Sequence, residues 1–280
     1  MEQLMKGVSR FRDAVYPEHK QRLETLGRDG QSPTTLMISC SDSRVVPELI
    51  TQSQPGELFV IRNAGNIVPP WQRVNGGVTS TIEYAVMGLG VTDIVICGHA
   101  DCGAMKAHFA PEGALDAMPS VKEWIGHSTA AHSVIEACCG SADDGEKLDR
   151  LVEENVILQL THLRSHPCVA AALAKGELRL HGWVFDISEG AIRALDGESG
   201  KFRRMEDPQH PVLLAPHQPA LDQPLGDVVL EATQRLDRQR VADHDTVAAP
   251  GAELTLQFAD KGRAKTALAI ITEQFGVELE

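Results

Sequence analysis

Thr35-Leu-Met-Ile-Ser39 runs directly into Cys40-Ser-Asp-Ser-Arg44. A short run centred on Leu, Met and Ile, followed by small polar residues, predicts a buried strand ending at Cys40. The same pattern recurs at 58–62 and 93–97, and helical spacing of apolar residues separates those two over 78–89. Helices are predicted at 121–138, 147–165 and 167–175, the last opened by His166-Pro167 because proline suits a first helical turn. A further strand over 177–186 returns through Ser188-Glu-Gly190 into 191–196. Strands alternating with helices predict an α/β fold, with a mostly parallel sheet of four to five strands flanked by helices. In such sheets function gathers at the carboxyl ends of the strands, and Cys40 and His99 each follow one.

The whole chain bounds this reading. Lys plus Arg number 26 against 39 Asp plus Glu, so the formal charge is 26 − 39 = −13. That sign repels phosphate backbones and anionic membrane surfaces, which excludes a general nucleic-acid binder. A hydrophobic share of 42% with 23% charged residues supports a packed core and excludes disorder throughout. The N-terminus has no apolar stretch of signal-peptide type, and no apolar run reaches the ~18 residues of a bilayer span. A cytoplasmic protein without membrane contact is expected. The six cysteines should then be reduced, and those near His or Asp are metal candidates.

The first 26 residues read as a helix, with Leu4, Val8, Phe11 and Val15 at spacings of four and three, and 27–33 as a break. Composition shifts near residue 206, where five of the 15 prolines fall between Pro208 and Pro224. This divides the chain into an N-terminal domain (1–205), a Pro-rich linker (206–225) and a small C-terminal extension (226–280). The extension has a predicted helix (227–238), strand (254–258) and helix (261–275), and its acidity suits docking to a protein partner.

Chemistry concentrates in two segments. Gly98-His-Ala-Asp-Cys-Gly103 sets His99 and Cys102 in a tight turn, and Cys40 ends a neighbouring strand. Two thiolates and an imidazole form a familiar zinc set, with a fourth position open in catalytic sites. In Cys40-Ser-Asp-Ser-Arg44, an extended backbone would project Cys40, Asp42 and Arg44 to one side, and Arg44 can hold Asp42 in a bidentate pair. A carboxylate fixed there can ligate the metal or accept a hydrogen bond. The other candidates read as structural: Cys97 as core, Cys138, Cys139 and Cys168 as packing thiols, His162 and His166 as capping or surface residues. Asn75-Gly-Gly77 lacks the Lys and Ser/Thr of a phosphate loop and reads as a turn.

Cys40-Ser-Asp-Ser-Arg44, Val60-Ile-Arg-Asn-Ala-Gly-Asn66 and Gly98-His-Ala-Asp-Cys-Gly103 resemble, in order, the signature blocks of the β-class carbonic anhydrases. Gln31-Ser-Pro33, Ile82-Glu-Tyr-Ala85 and Leu180-His-Gly-Trp183 extend the resemblance over residues 1–205, and the blocks are similar to those of the bacterial cyanate-associated enzymes. The resemblance implies zinc on Cys40, His99 and Cys102, with Asp42 and Arg44 as the catalytic dyad and Asp42 able to swing onto the metal. It places Gln31, Phe59, Ala64, Tyr84 and Gly103 at the substrate pocket, partly completing a neighbouring subunit's site. A homodimer or higher oligomer follows, with the N-terminal helix embracing the partner.

The implied reaction is reversible hydration of carbon dioxide to bicarbonate, with zinc-bound hydroxide as nucleophile. Two thiolates neutralise Zn²⁺, so activity should rise toward alkaline pH. Met37, Arg62 and Phe185 occupy the positions that gate bicarbonate-sensitive members; two of the three differ from that pattern, so an ungated pocket is expected. His108 and His127 are available as proton relays but read better as surface histidines. Carbon disulfide or carbonyl sulfide hydrolysis and a catalytically silent scaffold are the rival readings, and the intact five-residue set speaks against silence.

Overall fold

The computed structural model describes residues 1–72, 76–205, 246–249 and 252–257. The chain divides into two compact units, Met1–His217 and Gln218–Glu280. In the second, β7 (Thr246–Ala249) and β8 (Ala252–Gln257) pair antiparallel. The expected strand at 254–258 overlaps β8. The expected linker at 206–225 and helices at 227–238 and 261–275 lie outside the described residues.

The first unit is built on a six-stranded sheet in the order β2-β1-β3-β4-β5-β6. Its strands are β1 (Thr35–Cys40), β2 (Leu58–Asn63), β3 (Asp93–His99), β4 (Arg179–Asp186), β5 (Ala191–Leu195) and β6 (Phe202–Arg204). The first four run parallel; β5 and β6 return antiparallel. Six strands replace the four to five expected, because β6 has three residues and shows no readable alternation. Side chains alternate across β1: Leu36, Ile38 and Cys40 face the main core, whereas Met37 joins Val95 and Cys97 in a smaller cluster.

The helix that matters most for the site is α8 (Asp144–Ser165). Asp143 caps it by accepting from the Glu146 amide at 2.9 Å, and its buried stripe is Leu151, Val152, Asn155, Val156, Gln159, Leu160 and Leu163. Two glycines let it lie close on the sheet. A Cβ at Gly98 would stand 2.9 Å from Val156 Cγ2, and one at Gly182 would stand 2.9 Å from Val156 Cγ1.

The predicted helix at 121–138 is two, α6 (Pro119–Ile125) and α7 (Thr129–Cys138), parted by a 3₁₀ turn at Gly126–Ser128. The break carries Ser128 into the core, where it bonds Asn155. The N-terminal arm runs through α1 (Glu2–Arg10), a π-turn (Phe11–Val15) and α2 (Tyr16–Asp29), passing the expected end to stop where Gly30 takes a φ of 86°. None of its side chains is buried, so Leu4, Val8 and Phe11 stand exposed. No described helix is long and apolar enough to cross a membrane.

Candidate active site

Cys40 and His99 are the last residues of β1 and β3, adjacent parallel strands paired as Ser39 with Cys97. After His99 the chain reverses within three residues through Asp101, whose φ of 60° lies in the left-handed region that Asp tolerates better than most residues. This returns Cys102 to the strand end, where it precedes the short helix α5 (Gly103–Lys106). The two sulfurs and an imidazole nitrogen lie within 4.8 Å of one another, and all three residues are buried.

The imidazole is prepared for a metal. His99 Nδ1 is 2.8 Å from the Ala100 carbonyl, so its N–H donates there and the Nε2 lone pair is the free one. Nε2 is buried and has no hydrogen-bond partner among the described residues. The thiols are prepared as well: the Gly65 amide donates to Cys40 Sγ at 3.4 Å, and the Ala104 and Met105 amides favour the Cys102 thiolate. Hydrogen bonding from Cys102 brings the Cys40 thiol down to about 4 against the pull of burial, and the same contact pushes Cys102 up. Two buried thiols sharing one proton are completed by a cation that lets both ionise. An S₂N set with one position left over suits zinc. Cys97, wholly buried, is pushed up to about 12 by burial and the Cys40 charge, which makes it an inert core thiol as expected.

Asp42 and Arg44 meet as expected but by another route. The strand stops at Cys40 and the chain turns, with Val45 N–H donating to the Asp42 carbonyl at 3.0 Å. Arg44 reaches Asp42 through a turn, not along an extended segment. Its amide and Nε both donate to Oδ1 at 2.9 Å, and Nη2 donates to Oδ2 at 2.8 Å. These bonds hold the Asp42 carboxyl far below the usual carboxylate range, so it stays ionised. Its Oδ2 is 3.9 Å from His99 Nε2.

Of the other expected site residues, Gly103 follows Cys102 directly and Ala64 precedes Gly65, whose amide donates to Cys40. Gln31, Ala64, Tyr84 and Gly103 are exposed, and Phe59 is half-buried with its ring 5.9 Å from that of Tyr84. Ala64 is held through its carbonyl, which accepts from the Trp124 indole at 2.9 Å. Met37 packs with Cys97, Trp183 and Phe185 on the far face of the sheet. The Arg62 guanidinium is occupied by the carbonyls of Cys40 (3.2 Å), Asp42 (2.7 Å) and Val45 (2.6 Å). That bracing of the Asp42 turn is absent from the sequence reading, as are the roles of Asp101 and of the polar residues inside α8. Asn155 and Gln159, spaced four apart within an apolar stripe, were the available signal for the last.

His108 and His127 are half-buried instead of lying on the surface. The His108 ring stacks on His132 at 5.2 Å, and burial and that neighbour hold it down to about 4, so it takes up no proton near neutrality. His162 and His166 bond the carbonyls of Val68 (2.8 Å) and Pro69 (3.0 Å), and His166 is fully buried, not a surface residue. A histidine neutral in the fold and protonated when unfolded contributes stability above its ordinary value of 6.5 that is lost as pH falls toward 4. Urea unfolding of His108→Gln at pH 7 and 4.5 should therefore show an acid loss smaller than wild type's by ~1–2 kcal/mol, allowing for solvent screening. Equal losses would mean that His108 is not the group concerned.

Paired strand ends, a buried S₂N cluster and a clamped carboxylate define a metal-competent site on an α/β scaffold. The sequence matches the carbonic anhydrase family over residues 35–192. It is 51% identical to a carbonic anhydrase of Pseudomonas aeruginosa over 77% of this chain and 96% of that protein. It is 48% identical to carbonic anhydrase 1 of Escherichia coli O157:H7 over 72% of this chain and 91% of that one. Among solved structures, the β-carbonic anhydrase CcaA superimposes with a TM-score of 0.71 at 38% identity, covering 74% of this chain and 93% of that one. A chain from the crystal structures of two tetrameric β-carbonic anhydrases of Sordaria macrospora gives a TM-score of 0.60 at 30% identity, over 70% of this chain and 98% of that one. The chain belongs to the carbonic anhydrase family, and its fold is that of the β class. It is an enzyme of the family whose general reaction is carbon dioxide hydration.

Proposed function

We propose that this chain reversibly hydrates carbon dioxide to bicarbonate and a proton, with zinc held by Cys40, His99 and Cys102. The observation that carries this is the unpartnered, buried His99 Nε2, clustered with two buried sulfurs and 3.9 Å from a carboxylate fixed by Arg44. When bound, zinc supplies Lewis acidity and draws the nucleophile for carbon dioxide from water. Asp42, kept ionised, accepts a hydrogen bond at Oδ2 and so orients that nucleophile; Arg44 keeps the carboxylate in place. The Ala100 carbonyl fixes the imidazole tautomer. Gln31, Phe59, Ala64, Tyr84 and Gly103 form the substrate walls, completed between subunits of a homo-oligomer. The exposure of Gln31, Ala64, Tyr84 and Gly103, together with an N-terminal arm that has no fully buried side chain, supports that assembly. Thiol ligands also favour a reducing compartment, hence the cytoplasm.

Two thiolates and a neutral imidazole cancel the charge of Zn²⁺, which leaves water a weaker acid than the ~7 of a three-histidine site. Stopped-flow carbon dioxide hydration with zinc quantified should show about one zinc per chain and a rate climbing from pH 7 to 9. Zinc-loaded protein without hydration across that range would overturn the reading.

A further inference from the structure

Arg44 is held from two sides. Opposite Asp42, its Nη1 donates to Asp101 Oδ2 at 2.9 Å and its Nη2 lies 3.3 Å from the Asp101 carbonyl. Asp101 is in turn gripped by Lys106 Nζ on its other oxygen. It sits between two of the clustered residues, His99 and Cys102, in a backbone conformation that only a few residue types adopt readily. The guanidinium thus ties the Asp42 turn to the loop bearing the imidazole and the second thiol. Without that tie Arg44, whose side chain is 44% exposed, has somewhere else to go. On its outer side it lines, with Asp101, a cleft of about 480 Å³ that also presents Asp149 and Asp186.

We propose that Asp101 is a positioning residue: it pins the Arg44 guanidinium over Asp42, keeps that carboxylate on Arg44, and so holds the fourth metal position open. The inference rests on the proposed zinc site. Removing Asp101 frees Arg44 toward the acidic cleft and releases Asp42 to occupy the open position itself. Lys106 serves as the brace, neutralising the second oxygen so that Asp101 offers Arg44 a fixed acceptor.

The test compares full-length wild type, Asp101→Gly and Asp101→Asn, each loaded with zinc and, separately, with cobalt(II). Glycine removes the acceptor without straining a φ of 60°; asparagine keeps an oxygen for Arg44 and tolerates the same conformation. Asp101→Gly should retain its metal, lose about 10- to 100-fold in kcat, and lose the shift of the cobalt visible bands on azide addition, because no open position remains. Asp101→Asn should keep the azide response and stay within about threefold of wild-type kcat. An Asp101→Gly protein with wild-type kcat and azide response would overturn the clamp, and so would an Asn variant that falls as far as Gly. Wild type that responds to azide but does not hydrate carbon dioxide would remove the proposed reaction while leaving the clamp standing. Wild type that takes up no metal would overturn both.

Discussion

His99→Ala is expected to reduce zinc content to below about one tenth of an ion per chain and carbon dioxide hydration by about 1,000-fold or more. A 1,000-fold loss corresponds to roughly 4 kcal/mol of barrier, within what loss of a metal's Lewis acidity removes. The size of the effect follows from the burial of the site. His99 is 0% exposed, and its Nε2 is the one nitrogen donor of the buried cluster. Alanine leaves two coupled thiols, one of which resists ionisation, and no donor to complete the set. Metal analysis of the purified variant beside its stopped-flow rate checks the expectation. About one zinc per chain with near-native hydration would show that the ion is held elsewhere.

The second large effect is structural. Asn155 stands at the centre of a buried network: its Nδ2 donates to the Gly65 carbonyl at 3.1 Å, and its Oδ1 accepts from Ser128 Oγ (2.9 Å) and Gln159 Nε2 (2.8 Å). Gln159 Oε1 accepts from the Val68 amide at 2.9 Å. Asn155→Ala leaves three buried polar groups without that partner, each costing about 1–3 kcal/mol when unsatisfied, with partial relaxation between neighbours. A net loss of about 3 kcal/mol is expected, a urea midpoint about 1 M lower for a slope near 3 kcal/mol/M. The Gly65 turn also presents its amide to Cys40, so zinc should dissociate faster as well. An unchanged midpoint would mean that water or a rearranged Gln159 replaces the amide.

Much of this was legible because it is local. Three short apolar runs became β1, β2 and β3, and the residues just past two of them became the cluster, since a strand end and a tight turn each fix position over a few residues. What escaped the sequence depends on long-range geometry. Arg62 and Cys40 are 22 residues apart, and Arg44 and Asp101 are 57 apart; each pairing exists because β1, β2 and β3 lie side by side. Gly98 and Gly182 carry no pattern of their own, and their meaning appears only once α8 crosses them. The turn at Cys40–Arg44 was not readable from spacing, because alternation along an extended segment and turn geometry can bring the same two side chains together.

The glycine contacts under α8 bear on how the enzyme is made. All three metal donors have left the ribosome once residue 102 is out, yet the strand bearing His99 is backed by Val152 and Val156, which follow some fifty residues later. The carbonyl of Gly65 likewise awaits Asn155. A nascent chain, or a fragment cut after the last donor, would carry the ligands without the scaffold that spaces them. The proposed metal loading therefore waits until α8 has also emerged and packed, and any attempt to transplant the centre into another protein must bring the far helix along with the two loops.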